Sequence, residues 1–315
     1  MGLNRTLDDF ADEIKDVVST STSYIYGQNS RVGRIDDSRS VRAPMGIIDF
    51  QPDEMTVRCG AGTTLAELDH VVGANRQFVN LPYSPRRNGG AGGTVGGALA
   101  VGRSGLKRLG HGPIRDGLLQ VSYADAEGRV ISAGGPTVKN VSGFDLCRLF
   151  VGTFGVFGFM GEVILRTRPL PLDSRWYDIP VDDPDRLAVL VSHLYRPSSI
   201  LWDGTCVHLC LEGHPLDIDD CISNVRSVGF VPLESTEPDL GSVPHRWSTH
   251  PTDALLTVAR RPGTCSTEIG VGIVHDSQPA PPAVTDPMSL TVTRRLLDEF
   301  NPGRLLNPGL VALVV

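Results

Sequence analysis

Three stretches of the chain carry apolar residues three or four positions apart, which is the spacing of an amphipathic helix. The first two follow a threonine that can cap a helix, Thr6 and Thr64, and Glu67 completes a capping box at the second. The apolar positions are Leu7, Phe10, Ile14, Val17 and Val18; Leu65, Leu68, Val71 and Val72; and Val292, Leu296, Leu297 and Phe300. We therefore predict a helix at each of the three places.

Short apolar runs between turn residues predict strands. Two of them, 118–123 and 129–132, are separated by the turn 126–128 and predict a hairpin. Further strands are predicted at 23–26, 56–59, 163–165 and 205–212. Pro169 and Pro171 come next to the third of these, and the change of pattern beyond them predicts a domain boundary near residue 170.

Length and charge exclude several classes of protein. The chain has 315 residues, and its 29 basic and 36 acidic side chains give a net charge of −7, without the basic surface that nucleic acids or anionic membranes attract. The longest apolar run, 149–161, is bounded by Arg148 and Glu162 and is shorter than the roughly 20 residues of a transmembrane helix. The six cysteines form no Cys-x-x-Cys pair, so we expect reduced thiols and a cytoplasmic protein.

Glycine is locally enriched. It accounts for 35 of the 315 residues, and ten glycines lie between positions 89 and 112. Because glycine lets backbone N–H groups turn towards a phosphate, the clusters 27–33, 89–97 and 152–161 are candidate phosphate-binding loops. The densest cluster lacks the Gly-x-Gly-x-x-Gly spacing of a Rossmann fold, and no Gly-Lys-Ser or Gly-Lys-Thr of a P-loop occurs. The alternative is that the glycines form turns and packing sites, but three clusters favour a phosphate-bearing cofactor of extended shape.

Several motifs in a fixed order carry a resemblance to a known family. They are Gly93-Thr94-Val95-Gly96-Gly97-Ala98-Leu99-Ala100 with Ser104-Gly105, Gly112-Pro113-Ile114-Arg115-Asp116, the run 134–145, Val151-Gly152-Thr153-Phe154-Gly155-Val156-Phe157-Gly158, and Leu306-Asn307-Pro308-Gly309. This order resembles the FAD-linked oxidase superfamily of the vanillyl-alcohol oxidase or p-cresol methylhydroxylase type. The likeness is greatest to the smaller FAD-binding subunits of bacterial glycolate oxidases.

The resemblance implies an α+β fold. Residues 1–170 would form an FAD-binding domain of two α/β subdomains, residues 171–285 a short α+β cap or substrate domain, and residues 286–315 a C-terminal segment that returns to the flavin. The residues implied to bind FAD are Gly27, Gln28, Asn29, Ser30 and Arg31 at the pyrophosphate; Gly93, Thr94, Gly96 and Gly97 at the pyrophosphate and flavin; Ser104 and Gly105 at the isoalloxazine; Gly152, Gly155 and Gly158 along the ribityl and adenosine part; and Asn307 near the flavin ring.

Oxidation of a hydroxy acid needs a group that accepts the hydroxyl proton and a cation for the carboxylate. The resemblance implies that His275 lies on a cap strand that passes over the flavin, which makes it the catalytic candidate; the alternative is an ordinary histidine at a strand end. Arg115 and Lys139 are equally well explained as ion-pair partners of Asp116 and Asp145.

The residues Cys206, His208, Cys210 and His214 suggest a metal site. Alternate residues of one strand stand about 6.6 Å apart, whereas zinc–sulfur bonds are about 2.3 Å long. Side chains along a single strand therefore converge poorly on one ion, and we predict no metal.

The predicted function is FAD-dependent oxidation of a small 2-hydroxy acid such as glycolate, with electrons leaving through a partner subunit. A larger flavoprotein and an iron–sulfur subunit are the expected partners, and through them a cytoplasmic protein could lie at a membrane. The alternative is a non-catalytic FAD-binding or electron-relay subunit of a larger glycolate-oxidase-like complex, which the short cap favours. A sugar-nucleotide reductase of the same fold would need a nicotinamide-dependent reduction site, for which we identify no candidate residues.

We predict that FAD is held without a covalent bond. Some members of the superfamily attach FAD to a histidine in the first turn or a cysteine in the second loop, and residues 27–33 and 89–105 contain neither. Purified protein should be yellow, and acid should release all of its flavin as free FAD, measured by absorbance of the supernatant. Flavin that stays with the precipitated protein would contradict this prediction.

Overall fold

The computed structural model describes residues 6–25, 39–82, 92–136, 145–240, 243–281 and 286–313. The chain divides into two compact units. The first consists of Met1–Ser104, Pro113–Leu170 and Thr285–Val315, and the second of Gly105–Gly112 and Pro171–Val284. The short segment Gly105–Gly112, which the sequence-based boundaries include in the FAD-binding domain, thus belongs to the second unit.

The helices begin where the sequence supplies a suitable first turn. They are α1 (Leu7–Val18), α2 (Leu65–Gly73), α3 (Val95–Val101), α4 (Arg108–His111), α5 (Leu146–Phe150), α6 (Pro184–Ser192), α7 (Pro215–Ser227), α8 (Pro251–Arg260) and α9 (Pro287–Phe300), with 3₁₀ helices at Ile114–Gly117 and Pro308–Leu313. Thr64 Oγ1 accepts a hydrogen bond from the amide of Glu67 at 3.1 Å. The helices α6 to α9 each have proline in the first turn, where its missing N–H costs nothing. The three helices predicted from apolar spacing are confirmed as α1, α2 and α9.

The strands are mostly short. They are β1 (Ser23–Ile25), β2 (Arg39–Val41), β3 (Ile47–Gln51), β4 (Thr56–Gly60), β5 (Gln77–Phe78), β6 (Leu118–Ala124), β7 (Val130–Gly134), β8 (Phe159–Arg166), β9 (Arg168–Pro169), β10 (Asp173–Pro180), β11 (Ser199–Trp202), β12 (Cys206–Gly213), β13 (Leu233–Ser235), β14 (His245–Ser248), β15 (Cys265–Glu268) and β16 (Ile273–Asp276). The predicted hairpin is confirmed as β6 and β7, which pair antiparallel.

A five-stranded antiparallel sheet forms the centre of the first unit. Its strand order is β3-β4-β8-β6-β7. The apolar face of α1 packs on it, with Phe10 and Ile14 fully buried. A side chain on Gly161 of β8 would lie 3.1 Å from a ring atom of Phe10, so glycine at this position lets the helix lie directly on the strand.

A second, smaller sheet of the first unit joins both ends of the chain. Strand β1 pairs parallel with β2, and on its other edge Ser23 forms a parallel bridge with Leu306. The amide of Ser23 donates to the carbonyl of Leu305 at 2.7 Å, and the amide of Asn307 donates to the carbonyl of Ser23 at 2.8 Å. Backbone hydrogen bonds therefore fix the position of the C-terminal segment beside β1.

The second unit is built on a seven-stranded antiparallel sheet with the order β13-β10-β12-β11-β15-β16-β14. One face carries apolar residues that form a core with α6, α7 and α8. Trp202 at its centre is fully buried and donates from Nε1 to the carbonyl of Val181 at 2.8 Å. Because side chains alternate between the faces of a strand, the opposite face receives the polar residues of the same strands, including His208, Glu268 and His275.

Glu212 on that sheet ties the segment Gly105–Gly112 to the second unit. Its carboxylate lies 2.7 Å from both Lys107 Nζ and His111 Nε2, and Ser174 Oγ donates to it at 3.1 Å. Burial alone would raise the pKa of Glu212, but hydrogen bonds from His111 and Lys107 lower it from 4.5 to about 2.

No helix in the described part of the chain is long and apolar enough to span a membrane.

The Glu212 cluster predicts how the second unit responds to acid. A carboxylate whose pKa is lowered by folding stabilises the fold above its unfolded pKa, and this contribution is lost as pH falls. The stability of the second unit should therefore decline between pH 4.5 and about 2. In Glu212→Gln the unit should be less stable at pH 7 and this part of the decline should be missing.

Urea unfolding followed by tryptophan fluorescence measures this, because all three tryptophans, Trp176, Trp202 and Trp247, lie in the second unit. Glu234→Gln is the matched control, since Glu234 is exposed in the same unit. An acid transition in Glu212→Gln as steep as that of the wild type would contradict the role given to Glu212.

Candidate functional site

The first predicted loop, Gly27, Gln28, Asn29, Ser30 and Arg31, lies outside the described residues. The strand that leads to it is described as far as Ile25. The other predicted FAD-binding residues are described and can be followed from one to the next.

The second predicted loop is held against the connection between β4 and α2. Thr94 Oγ1 accepts a hydrogen bond from the amide of Gly97 at 3.2 Å, and Thr94 forms an antiparallel bridge with Thr64. The amide of Val95 donates to the carbonyl of Thr63 at 2.9 Å. The loop is therefore held in place mainly by backbone hydrogen bonds to the connection between β4 and α2.

Gly96 has a packing role. Its amide donates to the carbonyl of Ala61 at 2.7 Å, and a Cβ on Gly96 would lie 2.9 Å from Ala61 Cβ and 3.0 Å from its carbonyl oxygen. The amide is already used within the protein, so the contact with Ala61, rather than the expected approach to a phosphate, explains glycine here. Gly93, with φ of +99°, stands where only glycine is comfortable.

The third predicted cluster is attached to the end of α3. The amide of Gly152 donates to the carbonyl of Leu99 at 3.0 Å, and the amide of Phe154 donates to the carbonyl of Ala100 at 2.9 Å. Gly102, which ends α3 with φ of +66°, approaches so closely that a Cβ on it would lie 2.8 Å from Gly152 Cα. The second and third predicted segments are therefore neighbours.

The three glycines of this cluster that are predicted to bind FAD differ in what surrounds them. A Cβ on Gly155 would lie 2.8 Å from Asn307 Nδ2, and one on Gly158 would lie 2.6 Å from Tyr123 Cδ2. Gly152, with φ of +89°, has no atom of the described residues within 4 Å of its Cβ position. Protein contacts thus explain Gly155 and Gly158, whereas Gly152 faces open space.

Asn307 links three of the predicted segments. It is 2% exposed, its Oδ1 accepts a hydrogen bond from the amide of Ile25 at 3.1 Å, and its Nδ2 donates to the carbonyl of Phe154 at 2.5 Å. The end of β1, the Gly152–Gly158 segment and the C-terminal segment therefore meet at one side chain amide.

Asn301 shapes the C-terminal segment so that Asn307 reaches this position. Its side chain is fully buried, its Oδ1 accepts from the amides of Leu305 and Leu306 at 2.8 and 3.2 Å, and its Nδ2 donates to the carbonyl of Leu306 at 3.1 Å. Asn301 is not among the residues predicted from the sequence. The signal was present, because the triplet Asn-Pro-Gly occurs at both 301–303 and 307–309.

Ser104 lies where the chain passes from the first unit into Gly105–Gly112. Its Oγ accepts a hydrogen bond from the amide of Ile114 at 3.1 Å, so it closes the base of that segment. Gly105 is half-buried and belongs to the second unit. Contact of this pair with an isoalloxazine stays a prediction.

These residues fit the dinucleotide that the resemblance implies. The second loop, the third cluster and the C-terminal segment form one continuous region of the first unit, connected by the hydrogen bonds above. Gly152, in a left-handed conformation, borders space that a side chain would fill. Glycine at this position would let a ligand approach the backbone closely.

The catalytic candidate His275 lies on the polar face of the seven-stranded sheet. It is 7% exposed, and its Nε2 lies 2.8 Å from Glu268 Oε1. Arg246, which is opposite His275 in the β14–β16 register, lies 3.7 Å from the same oxygen. The second oxygen, Oε2 of Glu268, is buried and has no hydrogen-bond partner among the described residues.

A buried carboxylate oxygen without a partner is uncommon and calls for a donor from a ligand or a bound water. Of these three residues, His275 is predicted from the sequence, whereas Glu268 and Arg246 are not. The run from Glu268 to His275 contains Gly270 and Gly272, which both have positive φ, and this turn brings the two side chains to diagonal positions on one face. Two glycines between an acidic residue and a histidine are the sequence pattern that could have predicted this pairing.

Comparison with known proteins identifies an FAD binding domain that lies largely within the first unit. The family described as an FAD binding domain matches residues 17–134. Glycolate oxidase subunit GlcE of Escherichia coli (strain K12) is 31% identical over 168 residues, which are 52% of this chain and 47% of that protein. D-lactate dehydrogenase of Archaeoglobus fulgidus is 34% identical over 184 residues, 58% of this chain and 39% of that protein.

A third curated relative, glycolate oxidase subunit GlcD of Bacillus subtilis (strain 168), is 30% identical over 148 residues, 47% of this chain and 31% of that protein. The matched regions thus span less than half the length of these relatives. Among solved structures, alkyldihydroxyacetonephosphate synthase superposes with a TM-score of 0.67 at 12% identity, covering 96% of this chain and 75% of that chain. This last likeness concerns the fold.

Residues 17–134 match the FAD binding domain family, and the chain as a whole has an α+β fold similar to that of alkyldihydroxyacetonephosphate synthase. Its cofactor is FAD.

The packing of Gly96 predicts that Gly96→Val destabilises the first unit by about 1–3 kcal/mol, because the added atoms would overlap Ala61. Urea unfolding followed by circular dichroism measures this, with flavin absorbance recorded on the same samples. Gly73→Val is the control, since nothing lies within 4 Å of its Cβ position. A Gly96→Val protein that is fully stable yet free of flavin would instead favour direct contact with the cofactor.

The position of Asn307 predicts that its amide is needed to retain FAD. Asn307 has φ of +44°, so Asn307→Gly removes the amide without adding backbone strain. Loss of two buried hydrogen bonds, each worth about 1 kcal/mol, should weaken FAD binding up to about thirtyfold while the second unit stays folded. Asn75 is an exposed asparagine of the first unit, and Asn75→Ala should leave FAD binding unchanged. Equal FAD affinity in Asn307→Gly and wild type, measured by fluorescence titration of apoprotein, would contradict the prediction.

Proposed function

We propose that the chain is an FAD-dependent oxidoreductase that oxidises a small 2-hydroxy acid of the glycolate or lactate type. The observation that carries the proposal is the pairing of buried His275 with Glu268 beside Arg246, in a chain whose other unit is an FAD-binding domain. The names of the relatives support the same class of substrate, since they include glycolate oxidase subunits and a D-lactate dehydrogenase.

The proposed FAD-binding residues are those of the sequence analysis, with one change of role. Gly93, Thr94, Gly97, Ser104, Gly105, Gly152 and Asn307 remain candidates for contact, together with 27–31. We propose that Gly96, Gly155 and Gly158 act indirectly, because each is in close contact with a protein atom. When bound, FAD accepts the two electrons and the hydrogen that leave the alcohol carbon.

The proposed role of His275 is to accept the hydroxyl proton of the substrate. Glu268 accepts the hydrogen on Nε2 at 2.8 Å, which leaves Nδ1 with the lone pair that can take up a proton. The carboxylate also stabilises the imidazolium that forms. Glu268 is therefore a positioning residue for His275.

Arg246 is the proposed partner of the substrate carboxylate. Its guanidinium can bind a carboxylate through two parallel hydrogen bonds. It lies 3.7 Å from Glu268 Oε1, and its positive charge would attract the carboxylate of a substrate. The histidine and arginine together supply the base and the cation that oxidation of a 2-hydroxy acid needs.

We further propose that electrons leave through a partner subunit, such as a larger flavoprotein or an iron–sulfur protein. The relatives named as glycolate oxidase subunits support an assembly of this kind. A cytoplasmic location, at a membrane only through such partners, belongs to the same proposal. The second candidate function, a non-catalytic FAD-binding or relay subunit, is favoured by the small size of the second unit.

Anaerobic stopped-flow mixing of the FAD-loaded chain with glycolate, D-lactate or L-lactate separates the two functions. If the chain is an enzyme, the hydroxy acid should reduce and so bleach its flavin on the stopped-flow time scale. His275→Gln should slow this reduction at least about a hundredfold, as expected for loss of a general base. His193→Gln, in the same unit but outside this cluster, should bleach at the wild-type rate. No bleaching of the wild type by any of these acids would favour the relay subunit.

A further inference from the structure

A second group of chemically active side chains lies on the seven-stranded sheet, apart from His275 and Glu268. It consists of Asp178 on β10 and of Cys206 and His208 on β12. One carboxylate oxygen, the Sγ atom and one ring nitrogen all lie within 4.8 Å of one another. All three residues are half-buried.

The strand register brings these three residues together. Asp178 is directly opposite His208, and Pro180 is opposite Cys206. Because Cys206 and His208 are two positions apart on one strand, they share a face of the sheet. The neighbouring strand then supplies the carboxylate, whose Oδ1 lies 2.7 Å from His208 Nδ1.

A tight turn before β12 fixes the position of Cys206. Asp203 Oδ1 accepts hydrogen bonds from the amides of Thr205 and Cys206 at 2.8 and 2.7 Å and from Thr205 Oγ1 at 2.8 Å. The other oxygen of Asp203 lies 3.8 Å from His208 Nε2. The backbone of Cys206 and the ring of His208 are therefore both oriented from the same turn.

The geometry points to a binding site for one divalent transition-metal ion, with Asp178, Cys206 and His208 as its ligands. A thiolate, an imidazole and a carboxylate are a donor set for Zn²⁺ and Co²⁺ and suit Mg²⁺ or Ca²⁺ poorly. Three protein ligands leave one position of a tetrahedral ion for water. Bound there, the ion joins β10 to β12 outside the His275 cluster.

The prediction of no metal from sequence rested on distances along a single strand. That argument holds for Cys210, which is further along β12 and outside the group. It holds for His214 as well, which caps α7, but it does not apply to the proposed group, because the third ligand comes from the neighbouring strand β10.

An ordinary ion pair between His208 and Asp178 explains their 2.7 Å contact without a metal. The ion pair does not involve Cys206, whereas the proposed metal site needs its thiol. Replacement of Cys206 therefore distinguishes the two explanations. Cys206→Ala removes the thiol of the proposed site, whereas Cys210→Ala removes a thiol on the same face of the same strand outside it.

The test is titration of the full FAD-loaded chain with Co²⁺, followed by absorbance and by equilibrium dialysis. The wild type should bind one ion per chain, show a thiolate-to-cobalt charge-transfer band, and lose both when Zn²⁺ but not Mg²⁺ is added in excess. Cys206→Ala should lose the band and bind at least about tenfold more weakly. His208→Gln should also bind more weakly, and Cys210→Ala should behave as the wild type.

Tryptophan fluorescence of each variant checks that the second unit is folded. If Cys206→Ala does not fold, weaker Co²⁺ binding by folded His208→Gln still tests the site. Absence of the band in the wild type, or a band that survives Cys206→Ala, would overturn the proposal. Equal loss in Cys206→Ala and Cys210→Ala would do the same.

Discussion

The arrangement of the first unit depends on the buried side chain amide of Asn307. One amide group holds the end of β1 through Ile25 and the third glycine cluster through Phe154. These partners are more than a hundred residues apart in the chain, so the contact brings together segments that no local interaction could join. A buried amide must satisfy both its oxygen and its nitrogen, which makes the position specific for asparagine. The end of β1, the third glycine cluster and the C-terminal segment are therefore joined at this one side chain.

Glycine-rich sequence serves two different purposes in this region. Gly96 and Gly158 let the backbone lie close to Ala61 and Tyr123, so they build the surface without facing the cofactor. Gly152 borders open space with a left-handed backbone and is suited to contact with a ligand. The same residue type in neighbouring motifs thus serves close packing at Gly96 and Gly158, whereas a binding role is proposed for Gly152, and only the surrounding atoms distinguish the two cases.

Local patterns in the sequence were sufficient to predict helices and hairpins that form between residues close in the chain. Apolar spacing with a threonine cap identified α2, and the turn 126–128 identified the β6–β7 hairpin, because both depend on residues close in sequence. Contacts between distant parts of the chain were beyond this reasoning. The position of Asp178 opposite His208 depends on strand register, and the bonds of Asn307 to Ile25 and Phe154 depend on the return of the C-terminal segment. The family motifs identified the cofactor but did not show which glycines pack against protein.

The central claim is that Asn307 joins the end of β1, the third glycine cluster and the C-terminal segment into the proposed FAD site. A crystal structure of the chain with FAD bound tests it most directly. The account predicts that FAD lies against Gly152 and the loop 93–97, with the Asn307 side chain still bonded to Ile25 and Phe154. FAD bound elsewhere in the first unit, or bound in place with Asn307 released from both partners, would contradict it.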